Sequence, residues 1–228
     1  MSASTAAEIR ANPFRGLPAA AFEVFHVEGF EARMAALRRE ATPRLAALGQ
    51  ALEPAMARHF AMPAYSHVAR HLRRRVHPPE DTWVAWSTSA RGYKAEVHFE
   101  AGLGSGGAFV RLAALPEAGP AKMALLNQLT PERLASLTAG PLPVLFTPDH
   151  HGVEQVPLEA LARDWPHWVR QASRRQHGWA LVVATPRAAV VRRRGAWADD
   201  ALAAIRQLMP VWALGRTCER GGPASLIP

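Results

Sequence analysis

Cysteine is almost absent from this chain: Cys218 is the single thiol in 228 residues. One cysteine cannot form a disulfide within the chain or build a cysteine-based zinc cluster. The sequence also lacks any uninterrupted run of 18 apolar residues, so we expect no membrane-spanning helix. The N-terminal segment MSASTAAEIRANPF has no apolar core of the kind found in signal peptides. These absences together predict a cytoplasmic protein that does not enter a membrane.

Lysine is scarce as well, since Lys94 and Lys122 are the only two among 27 basic residues. The formal net charge is nevertheless +8. A positive field concentrates anions, so this charge favours an anionic partner, nucleic acid included. Because arginine is used along the whole chain, a compositional bias explains the excess equally well. The apolar fraction of 49% and the charged fraction of 20% are typical of a globular protein.

The most polar part of the chain is residues 67–99, which contain four of the ten histidines, five arginines and one lysine. Helical spacing of apolar residues predicts a helix over residues 65–72, which the Pro78-Pro79 pair would end. Tryptophan and valine enrichment predicts a strand over residues 82–88. Strict alternation over residues 93–99 predicts a second, half-buried strand with one apolar and one polar face.

The remaining segments mix helices with short strands. The apolar patterns predict an extended piece at 22–25, helix at 31–52 broken near Pro43 and Pro54, strand at 108–115, helix at 123–137, strand at 142–146, helix at 158–173, buried strand at 179–185 and helix at 196–214. This order does not alternate regularly between strand and helix. It therefore predicts an α+β fold with a mainly antiparallel sheet and helices packed on it. We expect a flexible arm over residues 1–18, a single domain over 19–216 and a flexible tail over 217–228.

The candidate site lies on the predicted helix and hairpin. His67 and His71 are four residues apart and would share one face of a helix. Arginine forks grip phosphate or carboxylate with two parallel hydrogen bonds, so the arginines beside these histidines predict capture of an anion. Trp83 would either stack on a base or ring of the ligand or pack in the core, on the sheet face opposite to Trp86. The predicted ligand-binding residues are His67, His71, Arg74, Trp83, Arg91, Lys94, His98, Asp149 and His150.

Two other functions remain open. His98, Asp149 and His150 are residue types that act as general acids and bases, which would make the protein an enzyme of unknown reaction. The i, i+4 histidine pair would also suit a metal, although the sequence assigns no metal ligand and no cofactor. The GxSxG motif of serine hydrolases is absent, which argues against covalent catalysis at a serine. A third function is protein interaction, with the basic helix docked on an acidic partner.

Three segments carry a family resemblance: FEVFHVEGFEARMAAL at 22–37, HVARHLRRRVHPPEDTWVAW at 67–86 and RGYKAEVHFEAGL at 91–103. In these segments the chain resembles the YktB-like family of uncharacterised bacterial proteins. The resemblance implies a single α+β domain with a TBP-like antiparallel sheet and added helices. It implies no activity, because the family has none assigned. The chain departs from the family pattern at residues 104–107, where it has Gly-Ser-Gly-Gly.

Overall fold

The computed structural model describes residues 14–72, 76–150 and 154–219, with side chains for all of these except 218 and 219. Arg74, residues 1–13 of the predicted arm and residues 220–228 of the predicted tail lie outside the described residues. The helices of the described chain are α1 (Ala19–Glu23), α2 (Phe30–Ala36), α3 (Thr42–Phe60), α4 (Gly119–Leu126), α5 (Pro131–Leu137), α6 (Leu158–Leu161), α7 (Trp165–Ala172), α8 (Arg187–Arg193) and α9 (Trp197–Glu219). Its strands are β1 (Tyr65–Val68), β2 (Asp81–Ser87), β3 (Val97–Gly104), β4 (Gly107–Ala114), β5 (Leu145–Thr147), β6 (Val156–Pro157) and β7 (Trp179–Pro186).

The strands that the structure describes form one sheet with the order β1-β2-β3-β4-β7-β5-β6. β1 is antiparallel to β2, with Tyr65 opposite Ser87 and His67 opposite Ala85. β5 is antiparallel to both of its neighbours, β6 and β7. The predicted α+β class, with a mainly antiparallel sheet and helices against it, is confirmed. The finer expectation of a TBP-like sheet stays a prediction.

The helical pattern over residues 31–52 is confirmed, and its prolines show how packing modifies it. A π-helical turn, Leu37–Ala41, separates α2 from α3. Pro43 lies in the first turn of α3, where its missing N–H has no helical partner to lose. Pro54 was expected to break the helix, but α3 continues to Phe60. The proline is exposed while Ala55, Met56 and Phe60 remain buried, so core packing of the apolar stripe outweighs the lost hydrogen bond.

Two short segments were assigned to the wrong type of element. Residues 65–72, predicted as a helix, form β1 and a loop. The helical stripe depended on Leu72, whose side chain is 77% exposed and so takes no part in the core. Residues 22–25, predicted as extended, belong to α1 and a following 3-10 turn. A run this short carries too few residues for helical and strand periods to be told apart.

β3 differs from the predicted half-buried strand. It begins at Val97, and its polar residues His98 and Glu100 are both 0% exposed. The prediction of a solvated polar face on this strand is therefore wrong. β3 is an interior strand of the sheet, with β2 and β4 as neighbours, whereas the alternation pattern applies to strands with one face in water. The glycine-rich segment that follows forms a hairpin, with Gly104 ending β3 and Gly107 beginning β4.

The described chain separates into two compact units, and the predicted domain boundaries stay a prediction. The first unit consists of Met1–Arg91, Glu100–Val110 and Ala184–Ala203, and the second of Gly92–Phe99, Arg111–Val183 and Ala204–Pro228. In the first unit α3 lies against β1 and β2, and the Trp86 indole Nε1 donates a hydrogen bond of 3.0 Å to the Gly49 carbonyl. This bond satisfies the polar atom of a fully buried side chain.

In the second unit, the Phe146 and Trp179 rings stack with centroids 6.2 Å apart. Gln207 of α9 donates through Nε2 to the carbonyl oxygens of Thr138 and Leu142, at 2.8 and 2.7 Å. Its Oε1 accepts from the Leu142 amide at 3.2 Å. The side-chain amide of Gln207 thus forms hydrogen bonds with three backbone groups of the segment that follows α5. No helix in the described ranges combines the length and the apolarity needed to cross a membrane.

Candidate functional site

In the first unit the structure brings His67 and Arg91 to the same turn. His67 lies on β1, and its Nε2 is 3.0 Å from the Ser89 carbonyl oxygen. A carbonyl oxygen can only accept a hydrogen bond, so the Nε2 of His67 carries a proton. The Arg91 amide donates to the Ser89 hydroxyl oxygen at 3.2 Å. Ser89 therefore fixes the ring of His67 and the backbone of Arg91 together.

His71 lies in the loop after β1, in contact with Trp83. Its Nε2 is 3.1 Å from the Thr82 hydroxyl, and its ring meets the Trp83 ring edge-on with centroids 5.4 Å apart. The backbone at His71 has φ of 51°, a left-handed conformation that is uncommon for residues other than glycine. The side-chain contacts hold this strained conformation in place. His67 and His71 do not share a helix face, so the predicted i, i+4 geometry is wrong.

The two tryptophans of β2 lie on opposite faces of the strand, as predicted. Trp86 bonds to α3, whereas Trp83 lies beside Gly102 of β3 and contacts His71. Both side chains are buried. The structure packs both rings in the core, and the contact of Trp83 with a ligand stays a prediction.

Among the residues that the structure describes, Arg70 and Arg91 are exposed arginines of this part of the first unit. Within the described ranges, neither guanidinium makes a hydrogen bond or an ion pair. Arg74, the other arginine predicted to bind the ligand besides Arg91, lies outside the described residues. Two charged forks are thus presented to solvent on segments that also hold the rings of His67 and His71.

The predicted residues of the second unit have other surroundings. The Lys94 Nζ lies 3.5 Å from the Glu117 Oε1, in an exposed ion pair. His98 is fully buried, with its Nδ1 2.8 Å from the Glu96 carbonyl oxygen and its ring 4.7 Å from the Tyr93 ring. The Lys94 ammonium is therefore at the surface, where another anion can replace Glu117. The His98 ring is held in the protein interior.

Asp149 and His150 follow β5, and the structure adds His177 to them. The Asp149 Oδ2 is 3.9 Å from the His177 Nε2. The buried His150 is tied by its amide to the Gly178 carbonyl. Thr147 donates through its hydroxyl to the Asp149 carbonyl oxygen at 2.8 Å, which fixes the turn. A carboxylate beside an imidazole is an arrangement that can orient a general acid or base.

Lys122 of α4 supports the segment that carries His177. It is only 3% exposed, and its ammonium donates to the carbonyl oxygens of Ala172, Arg174 and His177 at 3.3, 3.0 and 2.8 Å. Three donors radiating from one nitrogen match three carbonyls, a geometry that the planar guanidinium of arginine does not offer. Burial lowers the pKa of Lys122 below its ordinary value.

Comparison with known sequences identifies the family of this chain. The model of a family described as Domain of unknown function (DUF1054) matches residues 18–212. The chain belongs to this family. A UPF0637 protein of Macrococcus caseolyticus is 51% identical over 89 residues, which are 39% of this chain and 44% of that protein. A UPF0637 protein of Staphylococcus carnosus is 46% identical over 97 residues, 42% of this chain and 48% of that protein.

A third relative, a UPF0637 protein of Bacillus cereus strain G9842, is 46% identical over 89 residues, 39% of this chain and 43% of that protein. The chain thus spans less than half the length of the curated relatives it matches. The resemblance to an uncharacterised bacterial family is confirmed. The DUF1054 family brings no assigned activity, so the function of this member depends on its own residues.

Two residues of this DUF1054 member were missed from the sequence, and each carried a weak signal. Lys122 is one of two lysines in a chain that otherwise uses arginine. His177 immediately precedes Gly178 and the buried strand β7. No group of three or more His, Cys, Asp or Glu side chains placed to hold a metal occurs among the residues described.

Proposed function

We propose that the protein binds an anionic ligand through a basic surface formed by His67, Arg70, His71 and Arg91. The observation that carries this proposal is the pair of exposed guanidiniums of Arg70 and Arg91, which no described residue neutralises. On the segments that carry these arginines, Ser89 holds the ring of His67 and Thr82 holds the ring of His71. Arginine forks that have no protein partner are suited to phosphate oxygens.

The ligand class follows from the charge of this segment. Residues 67–77 contain four arginines and three histidines and no acidic residue. A phosphorylated small molecule or a nucleic acid supplies the phosphate oxygens that these groups recognise. Both are abundant in the cytoplasm, the compartment predicted from the sequence. The ligand-binding roles predicted for Lys94, His98, Asp149 and His150, which belong to the second unit, stay predictions.

The basic surface is tested with the double variant Arg70→Ala/Arg91→Ala. We expect it to bind nucleotides or oligonucleotides at least about tenfold more weakly at low salt, because two charge-assisted contacts are lost. Fluorescence polarisation with a labelled panel of mononucleotides and short oligonucleotides would measure the affinities. The matched control is Arg163→Ala/Arg175→Ala, which removes the same charge from exposed arginines of the second unit. Equal loss in the control, or no binding by the natural protein at low salt, would contradict the proposal.

A second candidate function is acid–base catalysis by Asp149 and His177. The 3.9 Å approach of the carboxylate to the imidazole favours it. The Lys122 ammonium holds the His177 carbonyl at 2.8 Å and so fixes the backbone of the histidine. A histidine oriented by a carboxylate transfers protons to or from a bound substrate.

For this second function we expect any activity found in a substrate screen to depend on both residues. His177→Gln and Asp149→Asn should each reduce the rate by about a hundredfold or more, the usual contribution of general acid–base catalysis. Steady-state kinetics on ester, amide and phosphoester substrates would provide the measurement. His167→Gln, a partly exposed histidine of α7, is the control. An activity that survives the first two variants would exclude this pair as the catalytic groups.

A further inference from the structure

The turn between α8 and α9 places an arginine where the backbone conformation favours glycine. Arg194 has φ of 49° and ψ of −131°. A side chain in this conformation is strained, whereas glycine adopts positive φ without a steric penalty. The glycine of the chain comes one residue later, as Gly195. The arginine is therefore retained at a cost in stability that glycine would avoid.

The surrounding first unit holds the strained turn in place. Gly16 lies so close to Arg194 that a Cβ on the glycine would be 2.4 Å from the Arg194 carbonyl carbon. Arg193 forms two hydrogen bonds with the Asp200 carboxylate, at 2.6 and 2.7 Å. Strain that the surroundings impose in this way is a feature of functional sites.

Three exposed arginines lie on the backbone at or beside this turn. Arg192 lies in the last turn of α8, and Arg194 lies in the turn that follows. Arg15 belongs to the segment packed on this turn, since a Cβ on Gly195 would lie 3.9 Å from the Arg15 carbonyl carbon. None of the three side chains has a hydrogen-bond or ion-pair partner in the ranges that the structure describes. Arginines in the last turn of a helix are favoured by the helix dipole, which accounts for Arg192. The dipole does not account for Arg194, whose position would be more stable as glycine.

We propose that Arg15, Arg192 and Arg194, the arginine cluster, form a second anion site that binds a phosphate group. Three unpaired forks on two touching backbone segments supply more donors than one phosphate needs, and Asp200 is already occupied by Arg193. The arginine cluster shares no residue with the basic surface, and this proposal does not depend on the proposed function. The phosphate group belongs either to a small phosphorylated molecule or to a nucleic acid backbone.

Two replacements of Arg194 test the arginine cluster. Arg194→Ala removes the guanidinium and keeps a Cβ in the strained turn, whereas Arg194→Gly removes both the charge and the strain. We expect both variants to bind phosphate about tenfold more weakly. Only Arg194→Gly should gain thermal stability, by roughly 2–4 °C in Tm, because glycine relieves the turn.

Isothermal titration calorimetry at low salt would use inorganic phosphate, a mononucleotide and a single-stranded 12-nucleotide DNA as separate probes. The titrations are made in the Arg70→Ala/Arg91→Ala background, so that binding at the basic surface does not mask the cluster. Arg163→Ala is the control for loss of one positive charge. Binding of the DNA with a steep salt dependence assigns the cluster to nucleic acid, and binding of the small probes assigns it to a phosphorylated molecule. No binding of any probe, or equal weakening by Arg163→Ala, overturns the proposal.

Discussion

Replacing Lys122 with methionine is expected to lower the free energy of unfolding by about 2–4 kcal/mol. Methionine has a similar length, so the main loss is the ammonium that donates to Ala172, Arg174 and His177. Their carbonyl oxygens would then be left without this donor in a buried site. Urea unfolding followed by tryptophan fluorescence would measure the change.

Two further variants separate the geometry of the Lys122 site from its charge. Lys122→Arg keeps the charge but replaces a tetrahedral donor by a longer planar one, so we expect it to destabilise as well. Lys94→Met removes the other lysine, which forms an exposed ion pair, and should cost less than about 1 kcal/mol. A Lys122→Met variant as stable as Lys94→Met would show that the three carbonyls do not depend on the ammonium.

The difference in stability between the natural protein and Lys122→Met should change with pH in one defined direction. Burial lowers the pKa of Lys122 from its ordinary value of 10.5. Between the lowered pKa of the folded state and the higher pKa of the unfolded state, the unfolded chain binds more protons. Stability contributed by this group therefore rises with pH in the alkaline range just below 10.5. The stability difference between the natural protein and Lys122→Met should increase there, and a decrease would mean that the pKa is raised.

Long apolar patterns predicted the fold well. The strand at 82–88 became β2, the apolar run at 179–185 became β7, and the pattern at 196–214 became α9. Each of these segments carries enough residues for its period to be clear. The strand β1 could not be found in this way, because four residues between α3 and an exposed loop satisfy a helical and a strand period equally. Its identity is decided by pairing with β2, which is a contact distant in sequence.

The residues of the candidate site were chosen by type, and the geometry expected for two of them, His67 and His71, was wrong. His67, His71 and Arg91 do lie on one hairpin region, but Ser89 and Thr82 rather than a helix face bring their groups into position. The environment of His98 was not predictable from alternation, because an interior strand buries its polar residues as well as its apolar ones. Side-chain contacts between distant segments, such as the approach of His177 to Asp149, leave no local pattern in a sequence.

Replacing Gly102 with alanine is expected to lower the free energy of unfolding by about 2–4 kcal/mol. A Cβ at this position in β3 would lie 2.4 Å from the Thr82 carbonyl oxygen, 2.5 Å from the Phe109 Cζ and 2.7 Å from the Trp83 Cβ. Two of these atoms belong to β2, so either the strands separate or the rings move. Glycine is therefore required for the close approach of β2 and β3.

The same substitution should reach the basic surface, because Thr82 and Trp83 are the residues that hold His71. We expect Gly102→Ala to weaken anion binding even at temperatures where the protein remains folded. Thermal unfolding followed by circular dichroism would measure the stability, and fluorescence polarisation the affinity. Gly106→Ala is the matched control, since a Cβ on this hairpin glycine meets nothing within 4 Å. If Gly102→Ala matched this control in both measurements, the position of the His71 side chain would not depend on the contact between β2 and β3.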